Sequence, residues 1–184
     1  MALFGLFAAK RWCGMELTSR EFWALVHGIL LGGAFLVAFT GGLAGFYSLR
    51  TEYLTEAGIA ERTRRLVLGT GVMAALTWLT VIVGTWVVYP WYREDIPESP
   101  RSQLLANPDT DGWHTFAMEW KEHVAWIAPM LATAAFFVAL YYGRDLIRHQ
   151  FARRIAMTLF VAAFAVAAIA GVLGALITKK APVT

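Results

Sequence analysis

Of the four histidines in this 184-residue chain, only His27 lies well inside a long apolar run, and His123 stands at the mouth of another. An imidazole carried into hydrocarbon is costly unless a second group offsets its lost hydration, so such a residue marks a functional position by default. Its natural partners are another histidine, a carboxylate or a metal. Two imidazoles facing one gap from separate helices are what a b-type haem requires, one axial ligand on each side of the macrocycle. A hydroxyl or backbone carbonyl on a neighbouring helix would satisfy His27 as well. His123 at a boundary can also be simply hydrated among Glu119, Lys121 and Glu122.

The elements that must carry these residues follow from hydropathy. A chain that is 58% hydrophobic is not an ordinary soluble domain. Four apolar runs, 22–48, 66–89, 123–142 and 155–178, hold no Asp, Glu, Lys or Arg, and each reaches the roughly 20 residues that a membrane-crossing helix needs. The bilayer offers no water to backbone groups and the strand-like alternation of a barrel is absent, so the runs are helices. The sequence therefore predicts one all-α membrane domain over 1–184, an integral four-helix bundle. Residues 1–20 read as an N-terminal interfacial amphipathic helix that inserts Phe4, Leu6, Phe7 and Trp12. The apolar start precedes Lys10 and Arg11, the reverse of a secretory signal. The single Cys13 permits no internal disulfide, its surroundings do not suit lipidation, and no Cys-x-x-Cys-His motif offers covalent haem attachment.

Positive charge near span ends gathers on the cytoplasmic side. Arg50, Arg62, Arg64 and Arg65 in the first connection, and Arg144, Arg148, Arg153 and Arg154 in the third, place both there. The 90–122 connection is longer and acidic and reads as an extracytoplasmic loop, with both termini on its side, although Lys10, Arg11, Lys179 and Lys180 pull the other way. The setting expected is a bacterial inner membrane. His27 then lies about 7 Å below the start of its span at 1.5 Å per residue, and His123 enters from the same face. The two match in depth under either orientation.

Several neighbours fit a cofactor without requiring one. Gly28, with Gly32, Gly33, Ala34 and Ala38 further down, clears volume beside His27 for a flat macrocycle, yet Gly28-x-x-x-Gly32 and Gly41-x-x-x-Gly45 are also ordinary helix-packing motifs. Trp23, Trp86, Tyr89 and Trp126 could line or cover the site, or could form the aromatic belt usual at a membrane interface. Glu119, one turn before His123, is placed to orient its ring or to be a solvated charge. His114 reads as a surface or partner contact, nine residues and about half a turn around from His123, while His149 reads as a solvated residue of the basic third loop. Pro129 should break its helix locally and open space. Because no second intramembrane histidine pair exists, the count allows one haem and not two, unless Met73, Met157 or another subunit supplies a ligand.

No Walker loop, zinc-protease motif, dinucleotide fingerprint or catalytic triad is present. The basic residues sit in loops, so the net charge of +3 reports topology and not nucleic-acid binding. No catalytic residue is assigned. On the strength of His27 and His123, on separate helices near one face, the chain resembles the four-helix membrane cytochrome b subunits that anchor respiratory oxidoreductases. That resemblance implies an electron-relay subunit of a respiratory or photosynthetic complex, with haem b held by His27 and His123. It implies exchange with quinone or with a c-type cytochrome docked on the acidic loop, and other membrane subunits and lipid as further partners. Two alternatives stay open: a cofactor-free structural or assembly subunit, and a quinone-binding anchor without haem that uses His123, Glu119 and the aromatics.

Overall fold

A computed structural model describes residues 17–49 and 55–182, so the interfacial helix expected over the first residues lies almost wholly outside the described part. Five helices follow in order: α1 (Ser19–Ser48), α2 (Glu56–Tyr92), the short α3 (Pro100–Leu105), α4 (Trp113–Ile147) and α5 (Gln150–Lys180). All but α3 are long and apolar enough to cross a membrane, and no strand occurs among the described residues. The protein is an integral membrane four-helix bundle. Helix starts are written into the sequence: Thr18 and Glu21 form a reciprocal capping box on α1, Thr55 caps α2, and Ser99 caps α3 with Pro100 at its first position.

Neighbours in sequence are neighbours in space. α2 packs between α1 and α4, α4 packs on α5, and α5 closes back on α1. This up-down arrangement gives the bundle two ends. One carries the 93–112 connection, rich in Asp and Glu, and is called the acidic end. The other carries the arginines at the start of α2, the end of α4 and the start of α5, and is called the basic end.

The tight core lies toward the basic end. Phe46, Leu49, Leu66, Met73, Ala132, Ala135, Leu146, Ala156, Phe160 and Ala163 are buried together there. Phe39 stacks on Phe164 with centroids 3.8 Å apart and on Phe160 at 5.5 Å, joining α1 to α5. Glycine here exists to admit neighbours: the Phe160 ring occupies the place a Cβ on Gly42 would need, and a Cβ on Gly45 would stand 3.1 Å from Leu66 Cδ1. On α1 the packing glycines are thus Gly42 and Gly45. Gly28, Gly32, Gly33 and Gly41 face open space, with nothing within 4 Å of a Cβ built on them, so the spacing Gly28-x-x-x-Gly32 is not a helix contact within this chain.

The acidic end is built differently. Three π-helical turns interrupt the long helices, at Val26–Leu31 in α1, Gly84–Val88 in α2 and Trp113–Met118 in α4. α4 begins at Trp113, so its polar first turns make up the last part of the connection expected over 90–122 as helix. Tyr92, Leu104, Ala117, Met118, Ile177 and Ala181 are buried together, so the connection folds back over α4 and α5. Pro129 acts where expected. Lacking an N–H, it leaves the Ala125 carbonyl to a three-residue bond from Ala128 at 3.2 Å, and α4 loses regular helix at Ala125–Trp126.

α1 is the least enclosed helix. Only 6% of its most apolar window is buried within the protein, against 28% for α2 and for α4, so most of its surface is left for lipid or another subunit. Its acidic-end segment, Ser19 to Leu31, packs chiefly on α2, and the α1–α5 contact is made further down by the phenylalanines.

Candidate functional site

The residues that converge in the acidic half come one from each long helix. His27 of α1 seats its ring on α2 at Gly84, where a Cβ would lie 2.8 Å from His27 Cε1 and 3.3 Å from Nε2. Only glycine at 84 admits the imidazole. Thr80, one turn before Gly84 on α2, lies beside the ring. Nδ1 is buried and has no hydrogen-bond partner among the described residues. In the tautomer protonated at Nε2 it offers a lone pair, an acceptor awaiting a donor.

Lys121 of α4 supplies the next group. Its ammonium turns inward and lies 2.9 Å from where a Cβ on Gly174 of α5 would stand, near enough to His27 to interact with it electrostatically. His27, Gly84, Lys121 and Gly174 each sit about 6–8 residues from the acidic end of their helix, roughly 9–12 Å along it at 1.5 Å per residue. They form one layer: an imidazole and an ammonium from two opposite helices, and glycines on the other two to make room. Residues 121–123 are all polar, and a helix turns about 100° per residue, so one of them had to face inward. The sequence reading kept Lys121 in the loop and favoured His123.

His123 is exposed, and its Nδ1–H donates to the Glu119 backbone carbonyl at 2.7 Å. No hydrogen bond or ring contact joins it to His27 among the described residues, and the turn that bears it packs on α5 while His27 packs on α2. Depth matches and direction does not. His27 rests against the α2 backbone at Gly84, and His123 stands exposed on α4. At most two groups of ligating type approach one another here, and no cluster of three or more His, Cys, Asp or Glu able to hold a metal occurs among the described residues.

Above this layer a polar network closes the acidic end. Glu122 lies near Tyr89 with its Oε1 buried and without a hydrogen-bond partner among the described residues, and Arg93 lies over the Tyr89 ring at 5.2 Å from its centroid. Arg93 also pairs with Glu119 at 3.0 Å and approaches Glu122 at 4.0 Å. The Glu119 carboxylate is therefore spent on Arg93, and its backbone, not its side chain, holds the His123 ring. His114, read from sequence as a surface residue, is buried: its Nδ1 is 2.9 Å from the Tyr92 hydroxyl and its Nε2 is 4.0 Å from Glu119. The buried and exposed roles of His114 and His123 are thus exchanged. α4 reaches out to Trp113, and α3 and the end of α5 cover His114 there.

The expected aromatic wall is divided. Trp86 and Trp126 meet edge to face at 5.8 Å on the α2–α4 seam, and Trp78 extends the group at 6.2 Å while donating its indole N–H to Thr133 at 3.0 Å. Tyr89 stacks instead on Tyr92 with Arg93 over its ring, and Trp23 packs on Phe22. Gly28 is exposed on α1 one residue past His27, with open space beside it. His149 is exposed at the basic end against Tyr142, as expected of a solvated residue. Lys121, Gly84 and Gly174 are the members that sequence reading missed. Comparison with family models, with curated proteins and with solved structures finds no match to this chain.

Proposed function

We propose that this protein is a membrane subunit of a respiratory or photosynthetic electron-transfer complex, and that its acidic half binds the head group of a quinone or quinol without haem. The observation that carries this reading is the buried, unpartnered Nδ1 of His27 at the level of the inward Lys121 ammonium. An acceptor lone pair and a donor cation in one apolar layer call for an uncharged ligand that both donates and accepts. A quinol hydroxyl donates to Nδ1, and a carbonyl oxygen accepts from Lys121.

Access and fit support the same reading. The α1–α5 seam is held lower down by Phe35, Phe39 and Phe160 with Phe164, while near the acidic end Gly28, Gly32 and Gly33 of α1 and Gly171 of α5 are uncovered. A lipid-soluble ring enters from the bilayer through such a seam. Glu122, beside Tyr89 near the acidic face, is the group through which a proton leaves or arrives, and electrons pass to or from redox centres of partner subunits. In a bacterial inner membrane, with the arginine-rich end cytoplasmic, this site opens to the extracytoplasmic side, where a c-type cytochrome has the acidic connection to dock on.

The test is an absorption spectrum and an organic extract of the same purified chain. Quinone at about one per protein, no haem b band, and loss of the quinone in His27→Ala and Lys121→Gln are expected. A reduced-minus-oxidised haem b signal that disappears on replacing His27 and His123 would instead establish the cytochrome. Neither quinone nor haem would leave a structural subunit and end the proposal.

A further inference from the structure

At the opposite end of the bundle, a cleft of about 220 Å³ opens between the end of α1 and the first turns of α5, lined by Phe46, Tyr47, Leu49, Arg153, Arg154 and Met157. We propose that this cleft is a binding site for one anionic phospholipid, with the phosphodiester held by Arg153 and Arg154 and an acyl chain laid against Tyr47 and Met157.

Charge is the first argument. The described parts of the basic end, 55–65 and 143–154, contain seven arginines, Arg62, Arg64, Arg65, Arg144, Arg148, Arg153 and Arg154, against Glu56, Glu61 and Asp145. Most of this excess has local work. Arg64 and Arg65 share Glu61, Arg62 donates to the Ser48 carbonyl, and Arg153 donates to the Leu49 carbonyl, so two guanidiniums satisfy the carbonyls where α1 ends. Arg154 pairs with no carboxylate among the described residues and stands exposed at the cleft. Arg153 has spent one N–H on Leu49 and keeps others, as a guanidinium carries five donors in a planar fork that suits phosphate oxygens.

The second argument is the mixture. A site for a free soluble anion is polar throughout, whereas four of the six lining residues here are aromatic or aliphatic. Two cations over apolar walls at a membrane edge match a lipid, charged at one end and hydrocarbon at the other. The volume is below the roughly 300–1,000 Å³ of a drug-sized pocket, and suits a head group whose tails remain in the bilayer. Tyr47, 57% exposed, provides the interfacial ring. Because Arg153 also grips the end of α1, an occupied cleft ties α1 to α5 where no turn connects them.

The test compares the full chain in nanodiscs of phosphatidylcholine alone and of phosphatidylcholine with phosphatidylglycerol. Native mass spectrometry should find one retained phosphatidylglycerol, and the unfolding temperature should rise in the mixed discs. Arg154→Gln should weaken retention about fivefold while leaving the unfolding temperature in phosphatidylcholine unchanged, since that side chain pairs with no carboxylate among the described residues. Arg144→Gln, on the same rim but outside the cleft, should change neither. Retention unaffected by Arg154→Gln, or lowered equally by Arg144→Gln, overturns the site. Equal stabilisation by inorganic phosphate in phosphatidylcholine discs overturns the lipid assignment in favour of a free anion.

Discussion

The two halves of this bundle use small residues for opposite ends. Toward the basic end, Gly42, Gly45 and a series of alanines bring backbones together, and aromatic rings fill what remains. Toward the acidic end, Gly84 and Gly174 make room for one polar side chain each, an imidazole and an ammonium. Association of helices in lipid rests on close packing, because the tails are as apolar as the side chains. The basic half therefore supplies stability, and the acidic half can give up packing for chemistry.

Phe160→Ala should sharpen that contrast most. Removing a fully buried ring shared by Gly42, Phe39 and Phe46 should cost about 3–5 kcal/mol, read as a lowered unfolding midpoint in detergent, with quinone stoichiometry kept in the fraction that remains folded. A comparable stability loss from an acidic-half substitution would break the division of labour. Next comes Tyr92→Phe, which removes the hydroxyl bonded to His114 Nδ1 and leaves a buried ring nitrogen unpaired at about 1–3 kcal/mol. Faster hydrogen exchange should appear in 93–112 and the first turns of α4 and not around Phe160.

Gly174→Ala probes the site itself. Its methyl would meet Lys121 Nζ at 2.9 Å, so the ammonium must swing away from its place, and quinone affinity should fall about tenfold, equivalent to about 1.4 kcal/mol. Gly171→Ala, whose methyl meets nothing within 4 Å, should change affinity little; an equal loss would indicate that α5 acts by bulk and not by seating Lys121. Smallest is Glu94→Gln, which breaks the bidentate pair with Arg20 at 2.9 Å. Both partners are 33% exposed, so thermal unfolding should register no more than about 1 kcal/mol.

Membrane-crossing helices were readable because length and absence of charge decide them, with no reference to neighbours. His27 was readable for a related reason, since an imidazole among hydrocarbon residues announces a cost. What could not be read was direction around the helix at Lys121-Glu122-His123, where three polar residues in succession offer no apolar contrast to fix a face. The π turn at Trp113–Met118 compounds this, because it alters the phase between His114 and the span below. Gly174 carried a faint signal, a small residue in an otherwise smooth helix, but its meaning depends on a lysine arriving from α4. Pairing across helices is a property of the packed bundle, and periodicity within one segment does not contain it.

A π turn is what a helix makes of one surplus residue, taken up as a local widening so that the segments on either side keep their own faces. The widened turns at Val26–Leu31 and Gly84–Val88 meet where His27 touches Gly84. Deleting one residue from either would let that helix run straight with its lower part still in register against the phenylalanine core, while the upper part rotates away from its neighbour. Length changes of a single residue thus act here as aiming adjustments, and a bundle built this way can redirect its binding layer without rebuilding the part that keeps it folded.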